Sequence, residues 1–418
     1  MIARLPAVLP IVFATYGAIV LGYLALQALF AGRSRRAVRP ASRTLPSVDV
    51  IVPCYNEDPA VLAACLASIG AQDYDGTISV YMADDGSPNL AELAAVYADF
   101  ERRPGYHSVR LPVNRGKRFA QVAAITSSDG DIVISVDSDT LLATDAVRRI
   151  AAVFDDARVG AAMGEIGAAN ESANWLTRLL DRRYWYASNQ VSAALSHFGA
   201  VLCCCGPFSA YRRTVLNVVL DDYLNQRFMG RPTTHGEDRY LTNLVLRTGM
   251  RTAYAHGARA LTVVPDRMRP FLRQQLRWNR TNYRDTWGIL SRLPSFGPYV
   301  MLDAVVQIIA PPLLAATLIL LTVHVLARGG LDLVGYAAGL AVVGLAYSGY
   351  GWWRDRSLRA LRMTWYGVLH IGLLLASRAY ALCTLTDDRW GQRGASLHID
   401  PHLRPAQPDS EPERVELT

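Results

Sequence analysis

A chain of 418 residues, 51% hydrophobic and 19% charged, is too apolar for an ordinary soluble enzyme and too polar for a pure transporter. Its mean hydropathy is +0.13. The net charge of +7 could suit nucleic acid, but the arginines sit beside hydrophobic stretches, so the expected partner is an anionic lipid bilayer and no nucleic acid.

Residues 7–30 are almost continuously apolar and long enough to span a bilayer as a helix. The run is too long for the core of a cleaved signal peptide, the competing reading. Arg33, Arg35, Arg36, Arg39 and Arg43 follow it and only Arg4 precedes it. The positive-inside rule then puts the next domain in the cytoplasm, on an inner (plasma) membrane protein. Residues 1–44 form this first unit.

Residues 45–290 read as one α/β domain. Strands are expected at Val48–Val52, Ile78–Met82 and Asp131–Val136, with helices at 58–70 and 116–127. Such alternation implies a mostly parallel sheet, which binds ligands outside the carboxyl ends of its strands. Tyr55, Asp84 and Asp137 fall at such ends. Residues 170–285 read mostly as helices and loops. Residues 299–327 and 331–351 read as a membrane hairpin. Arg354, Arg356, Arg359 and Arg362 return the chain to the cytoplasm. Residues 363–385 are apolar but carry His370 and Arg378, and an interfacial or re-entrant helix is expected there. The membrane unit covers 291–395, and the proline-rich, acidic tail 396–418 is expected to be disordered.

Five short blocks carry the chemistry: VPCYNE (52–57), DDGS (84–87), DSD (137–139), GEDR (236–239) and QQLRW (274–278). Asp137 and Asp139 flank a serine after an apolar strand, so both carboxylates can face one site. Hard oxygen ligands suit Mg²⁺ or Mn²⁺ with open positions for phosphates; a solvated turn is the plainer alternative. Asp84 and Asp85 can accept hydrogen bonds from a base or ribose, or simply make a turn. The Tyr55 ring can stack on a base. Lys117 opens a helix and can meet a phosphate, or lie exposed. Glu237 and Asp238 precede a helical pattern beginning at Arg239, either as capping acids or as a base paired with a second carboxylate. Arg273 and Arg277 lie four apart on a helix and share a face. A guanidinium there pairs with diphosphate, and Trp278 can stack on a sugar or fill a core. The six cysteines form no CxxC pair and read as free thiols.

These blocks, in this order, resemble the processive, membrane-embedded family 2 glycosyltransferases. Within them the chain looks most like the nodulation-type chitooligosaccharide synthases, then the hyaluronan synthases. The resemblance runs through VDVIVPCYNEDP (48–59), GKR (116–118), VDSDT (136–140), NWLTRLLDRRYW (174–185), FGAVLCCCGPFSAYRR (198–213), GEDRYLT (236–242) and LRQQLRWNRTNYRDT (272–286).

It implies a GT-A (Rossmann-like) cytoplasmic domain with transmembrane and interfacial helices, and an inverting transfer from a UDP-sugar donor to a growing oligosaccharide acceptor. By the same resemblance Tyr55 and Asp85 hold the uridine, while Asp137 and Asp139 surround a Mg²⁺ or Mn²⁺ ion, with Lys117 helping. Asp238 is the general base. Gln274, Arg277 and Trp278 line diphosphate and acceptor, and Cys205 borders the nucleotide. Trp390 and Arg393 belong to a gating loop, WGQR, closer to that of the hyaluronan synthases. Arg182 and Arg183 stand where nodulation-type enzymes usually have methionine and glutamate, which puts the sugar product in question. The leading expectation is β-1,4-linked N-acetylglucosamine made from UDP-N-acetylglucosamine. The rivals are hyaluronan synthesis, using UDP-glucuronate as well, and a nucleotide-sugar-binding regulator without turnover. An oligomer is compatible with all three.

Overall fold

A computed structural model of the chain describes residues 5–35, 45–328, 341–342, 344–346, 348–353, 356 and 358–387. The elements in order are α1 (Leu5–Arg35), β1 (Val48–Cys54), α2 (Pro59–Gly70), β2 (Ile78–Asp84), α3 (Leu90–Glu101), β3 (Tyr106–Arg110), α4 (Lys117–Thr126), β4 (Ile132–Val136), β5 (Thr140–Leu142), α5 (Ala146–Ala151) and β6 (Val159–Ala168). There follow α6 (Trp175–Tyr186), α7 (Ala193–His197), β7 (Phe208–Arg212), α8 (Arg213–Leu224), β8 (Arg227–Phe228), β9 (Arg231–Pro232), α9 (Glu237–Arg247), β10 (Arg251–Thr262), α10 (Met268–Ile289) and α11 (Pro298–Arg328). A last helical run covers Leu358–Cys383.

Local chemistry sets several of these boundaries. Asp58 caps α2 by accepting from Ala60 N at 2.8 Å and Val61 N at 3.3 Å, and Pro59 supplies the first helical residue. Asn174 and Thr177 form a reciprocal capping box at the start of α6. All seven residues of β1 are buried, as a strand covered on both faces requires.

The main sheet has the order β3-β2-β1-β4-β7-β6-β10-β5. β1 pairs in parallel with β2 and β4, and β6 in parallel with β10; β7 runs against β4 and β6, and β5 against β10. The sheet is therefore mixed, where a mostly parallel one was expected, because β7 inserts in reverse between the two parallel sets. The expectation of helices and loops over 170–285 is corrected too. β7 and the 12-residue β10 lie there. β10 alternates small and charged residues (RTAYAHGARALT) and lacks the β-branched run that marked the early strands.

Among the described residues, three helices are long and apolar enough to cross a membrane: Ala14–Ser34, Pro298–Val323 and Leu358–Cys383, with hydropathies of 1.6, 2.3 and 1.3. The third is the segment for which the sequence suggested an interfacial or re-entrant path. The stretch 331–340, the tail 396–418 and the WGQR loop lie outside the described residues.

Candidate active site

The carboxyl ends of β1, β2 and β4 lie side by side, with Cys54 paired to Asp84 and Ile51 to Ser135. Over them opens a cavity of about 1680 Å³ that continues between α1, α11 and the C-terminal helical run. Tyr55, Asp85, Lys117, Asp137, Asp139, Cys205, Glu237, Asp238, Gln274, Arg277 and Trp278 all line it. Three segments far apart in sequence thus meet where the strand ends predicted they would.

At the centre, one ammonium joins three carboxylates. Lys117 Nζ lies 2.6 Å from Asp137 Oδ1, 3.5 Å from Glu237 Oε1 and 3.9 Å from Asp238 Oδ1. The sequence suggested that Lys117 would meet a phosphate; here it begins α4 and ties the end of β4 to the start of α9. Gly206 N donates to Asp238 Oδ2 at 2.8 Å. A Cβ on Gly206 would sit 2.7 Å from that oxygen and 2.8 Å from Lys117 Nζ, so only glycine permits this approach. Helix α9 starts at Glu237, not Arg239. Gly236, with φ 90°, makes the left-handed turn into it, and a Cβ there would come 2.5 Å from Thr281 Cγ2.

The two adjacent acids are driven apart in acidity. Burial, followed by the charges of Glu237 and Asp137, pushes Asp238 up to about 7, against the pull of Lys117 and the Gly206 N–H. Burial also opposes ionisation of Glu237, but Lys117, then Arg118 and Arg277, bring it below the usual carboxylate range. Lys117 itself is partly buried, and desolvation disfavours its charge, yet the three carboxylates hold it well above the ordinary lysine value. Two carboxyls with separated pKa values, one near neutrality, are the arrangement from which a general base is drawn.

Tyr55 and Asp85 stand at the outer end of the cavity. Tyr55 is 44% exposed, immediately after β1. Asp85 accepts from Arg115 N at 2.8 Å and Gly116 N at 2.7 Å, and burial raises its pKa. It therefore fixes the 114–116 loop while keeping lone pairs for a ligand donor. Asp84 is 1% exposed and does not reach the cavity. It accepts from Ser87 N and the Tyr97 hydroxyl, each at 2.9 Å, so it fastens the DDGS turn instead of meeting a nucleotide.

Asp137 and Asp139 lie just beyond β4, in the turn leading to β5, and not on the strand itself. Each has a partner the sequence did not show: Lys117 for Asp137, and the Thr262 hydroxyl, 3.1 Å from Asp139 Oδ1. Ser138 between them donates to Glu57 Oε2 at 2.6 Å. Among the described residues no group of three or more His, Cys, Asp or Glu side chains could hold a metal by itself. The two aspartates fit an ion that takes one or two protein carboxylates and completes its shell with water and ligand phosphates.

Helix α10 forms the facing wall. Gln274, Arg277 and Trp278 line the cavity, whereas Arg273, expected to share a face with Arg277, is exposed and does not. Trp278 is 43% exposed and tilts toward Tyr184, with ring centroids 6.1 Å apart. Gln274 Oε1 is buried with no hydrogen-bond partner, the state of a group awaiting one. Sequence reasoning missed Gly206, Thr262 and Tyr184. The GP step after the three cysteines was the one local signal for the first; the other two come from segments read as loop or helix. Trp390 and Arg393 lie outside the described residues, but Thr384 and Asp387 just before them are held by Arg280 of α10, at 3.0–3.1 Å.

Residues 49–220 match glycosyl transferase family 2. The chain is 45% identical to an N-acetylglucosaminyltransferase of Mesorhizobium japonicum over 86% of its own length and 85% of that protein. It is 44% identical to one of Sinorhizobium fredii (91% and 93% covered) and 42% identical to one of Rhizobium meliloti (92% and 91%). Among solved structures, the mannosyltransferase PcManGT from Pyrobaculum calidifontis, in complex with GDP-Man and Mn²⁺, superposes with a TM-score of 0.62 at 22% identity. It covers 86% of this chain and 98% of its own. That likeness establishes a GT-A fold.

Proposed function

The chain belongs to glycosyltransferase family 2, among the nodulation-type N-acetylglucosaminyltransferases, and from that premise we propose that it extends a β-1,4-linked chitooligosaccharide from UDP-N-acetylglucosamine, inverting the anomeric carbon. The observation that carries the mechanism is the Lys117 knot, which sets Asp238, with its pKa near 7, beside the strand-end aspartates.

In this reading Tyr55 stacks on the uracil and Asp85 accepts from the uridine. Arg277 pairs with the diphosphate and Gln274 meets an acceptor hydroxyl. Trp278 stacks on the acceptor sugar. Asp238 takes the proton from the attacking hydroxyl. The new oxygen–carbon bond forms as the anomeric carbon–phosphate oxygen bond breaks, and the electron pair leaves with UDP. Glu237 stays ionised and keeps Lys117 charged beside the phosphates. Asp137 and Asp139 would hold Mg²⁺ or Mn²⁺, which supplies charge to the leaving diphosphate. The Mn²⁺ of the mannosyltransferase complex accords with this choice. Cys205 borders the donor. The basic residues after α1 put the domain on the cytoplasmic side of an inner membrane.

The deciding experiment supplies the purified full chain with labelled UDP-N-acetylglucosamine, with and without UDP-glucuronate, with Mn²⁺ or with EDTA. Oligomers of N-acetylglucosamine alone, formed only with the ion, are expected. A polymer that requires both donors replaces this reading with hyaluronan synthesis. Tight UDP binding without sugar transfer makes the chain a regulator, and full activity in EDTA removes the metal.

A further inference from the structure

The proton acceptor does not sit on a long, rigid strand. Asp238 follows a short hairpin, β8–β9, whose tip is open: Met229 is 77% exposed. Its two ends are buried, Gln226 at 5%, Thr233 at 7% and His235 at 2%. The ends close on each other through Thr233 N donating to Gln226 O at 3.2 Å. Something beneath must fix this hairpin, because a base displaced by about 1 Å can lose of the order of a hundredfold in rate.

Two buried groups do so. Arg118, next in sequence to Lys117 but turned the other way, donates to the Gln226 side-chain carbonyl and to Thr233 O at 3.3 Å. Gln226 Nε2 in turn donates to Asp285 Oδ1 at 3.4 Å. Asp285 is 6% exposed on α10, and around it Arg284 reaches His235 O at 3.5 Å. Asn243 and Arg239 of α9 reach Asp285 O at 2.8 Å and Thr286 Oγ1 at 2.9 Å. The same helix carries Gln274, Arg277 and Trp278 about two turns earlier, roughly 12 Å along its axis from Arg277 to Asp285. One rigid rod therefore bears the residues facing donor and acceptor together with the anchor of the base-bearing hairpin.

We propose that Asp285, acting through Gln226, is a positioning residue that holds the 226–236 hairpin, and with it Asp238, in register with the donor-facing residues of α10. This rests on the reading of Asp238 as the base. Asp285 touches no reacting atom. Asp285 Oδ1 accepts from Gln226 Nε2 and so orients Gln226, whose two ends satisfy one partner each. Removing either link leaves Tyr55, Asp85, Gln274, Arg277 and Trp278 in place and loosens the hairpin, whose Thr234, His235 and Gly236 line the cavity.

The test uses the full-length protein in detergent with Asp285→Leu, Gln226→Leu and the double variant. Transfer kcat should fall about tenfold or more in each single variant. The Kd for UDP should stay within about twofold, and the amides of 227–236 should exchange faster with deuterium. The double variant should be no worse than the weaker single one, as for two members of one link. Asp285→Glu should restore part of the rate. Unchanged kcat or unchanged exchange in both single variants overturns the proposal. So does a parallel fall of kcat, UDP affinity and Tm, which marks a general scaffold role. Should Asp285→Leu fail to accumulate, Gln226→Leu alone decides on the same readouts. Asp238→Asn is run beside them: normal turnover there removes the base assignment, and the exchange data then judge the hairpin anchor by itself.

Discussion

The two ends of the cavity are built on opposite plans. At the sheet end, charged side chains meet across sequence distance: one lysine and three carboxylates, from the first turns of two helices and a strand end. At the helix end, the lining comes from Gly17, Val20, Ala310, Pro311 and Leu314. The polar groups there mostly bind one another. Tyr23 donates to Asp303 Oδ1 at 2.5 Å, and Gln307 donates to Oδ2 at 2.8 Å, joining α1 to α11. A buried carboxyl so satisfied holds the two helices together. The contrast teaches that the ionisable groups gather at the sheet end, while the far end offers mainly apolar surface.

The sharpest way to break that comparison is to disable the sheet end alone. Asp238→Asn should lower transfer by about a hundredfold or more, the scale for an acid–base group, with UDP affinity retained. Gly206→Val should do as much, because its side chain would displace both Asp238 and Lys117 while the fold stays intact. Kinetics with UDP titration check both. Near-normal turnover in either would move the chemistry elsewhere in the cavity.

A smaller and more diagnostic effect is expected in pH. Asp238 must be ionised to accept a proton, so kcat/KM should rise as pH increases through about 7, where its carboxyl titrates. Lys117 is the main charge holding that value down. In Lys117→Met the acid limb should therefore move to higher pH, and part of the lost activity should return in alkaline buffer. An acid limb that stays in place would show that another group is titrating.

Next in size is the rim. Tyr55→Ala removes an exposed ring that is not part of the core, so stability should hold. The UDP Kd should weaken about tenfold, the scale of one base–aromatic stack. Calorimetric titration reads it directly, and an unchanged Kd would leave Tyr55 as a surface residue.

How far the sequence went depended on how local the signal was. The early strands were legible because VDVIVPC and DIVISV are apolar runs bounded by polar turns, and their ends located Tyr55, Asp85 and Asp137. β10 was not, because its register is imposed by β6 and not by its own propensity. Asp84 and Asp85 look equivalent in sequence, yet one side chain falls on the core side of the turn, where Tyr97 of α3 reaches it. The pairing of Lys117 with three acids, 20 to 121 residues away, has no local signature at all. Glycines 206 and 236 matter through neighbours, Asp238 and Thr281, that only the folded chain supplies.

The smallest expected effect falls at the helix end. Ala310 of α11 lines the cavity well away from the charged knot. Ala310→Phe places a ring in space that a bound oligosaccharide would occupy, without touching Lys117, Asp238 or Tyr55. UDP affinity and the pH profile should match the unmodified protein. The KM for an added chitooligosaccharide should rise by a few-fold, because the interaction lost is with a non-reacting part of the substrate. Ala310→Ser, which adds little volume, should leave that KM unchanged. A fall in kcat with an unaltered KM would mean that the helix end takes part in the transfer step, and the division between a chemical end and a shaping end would fail.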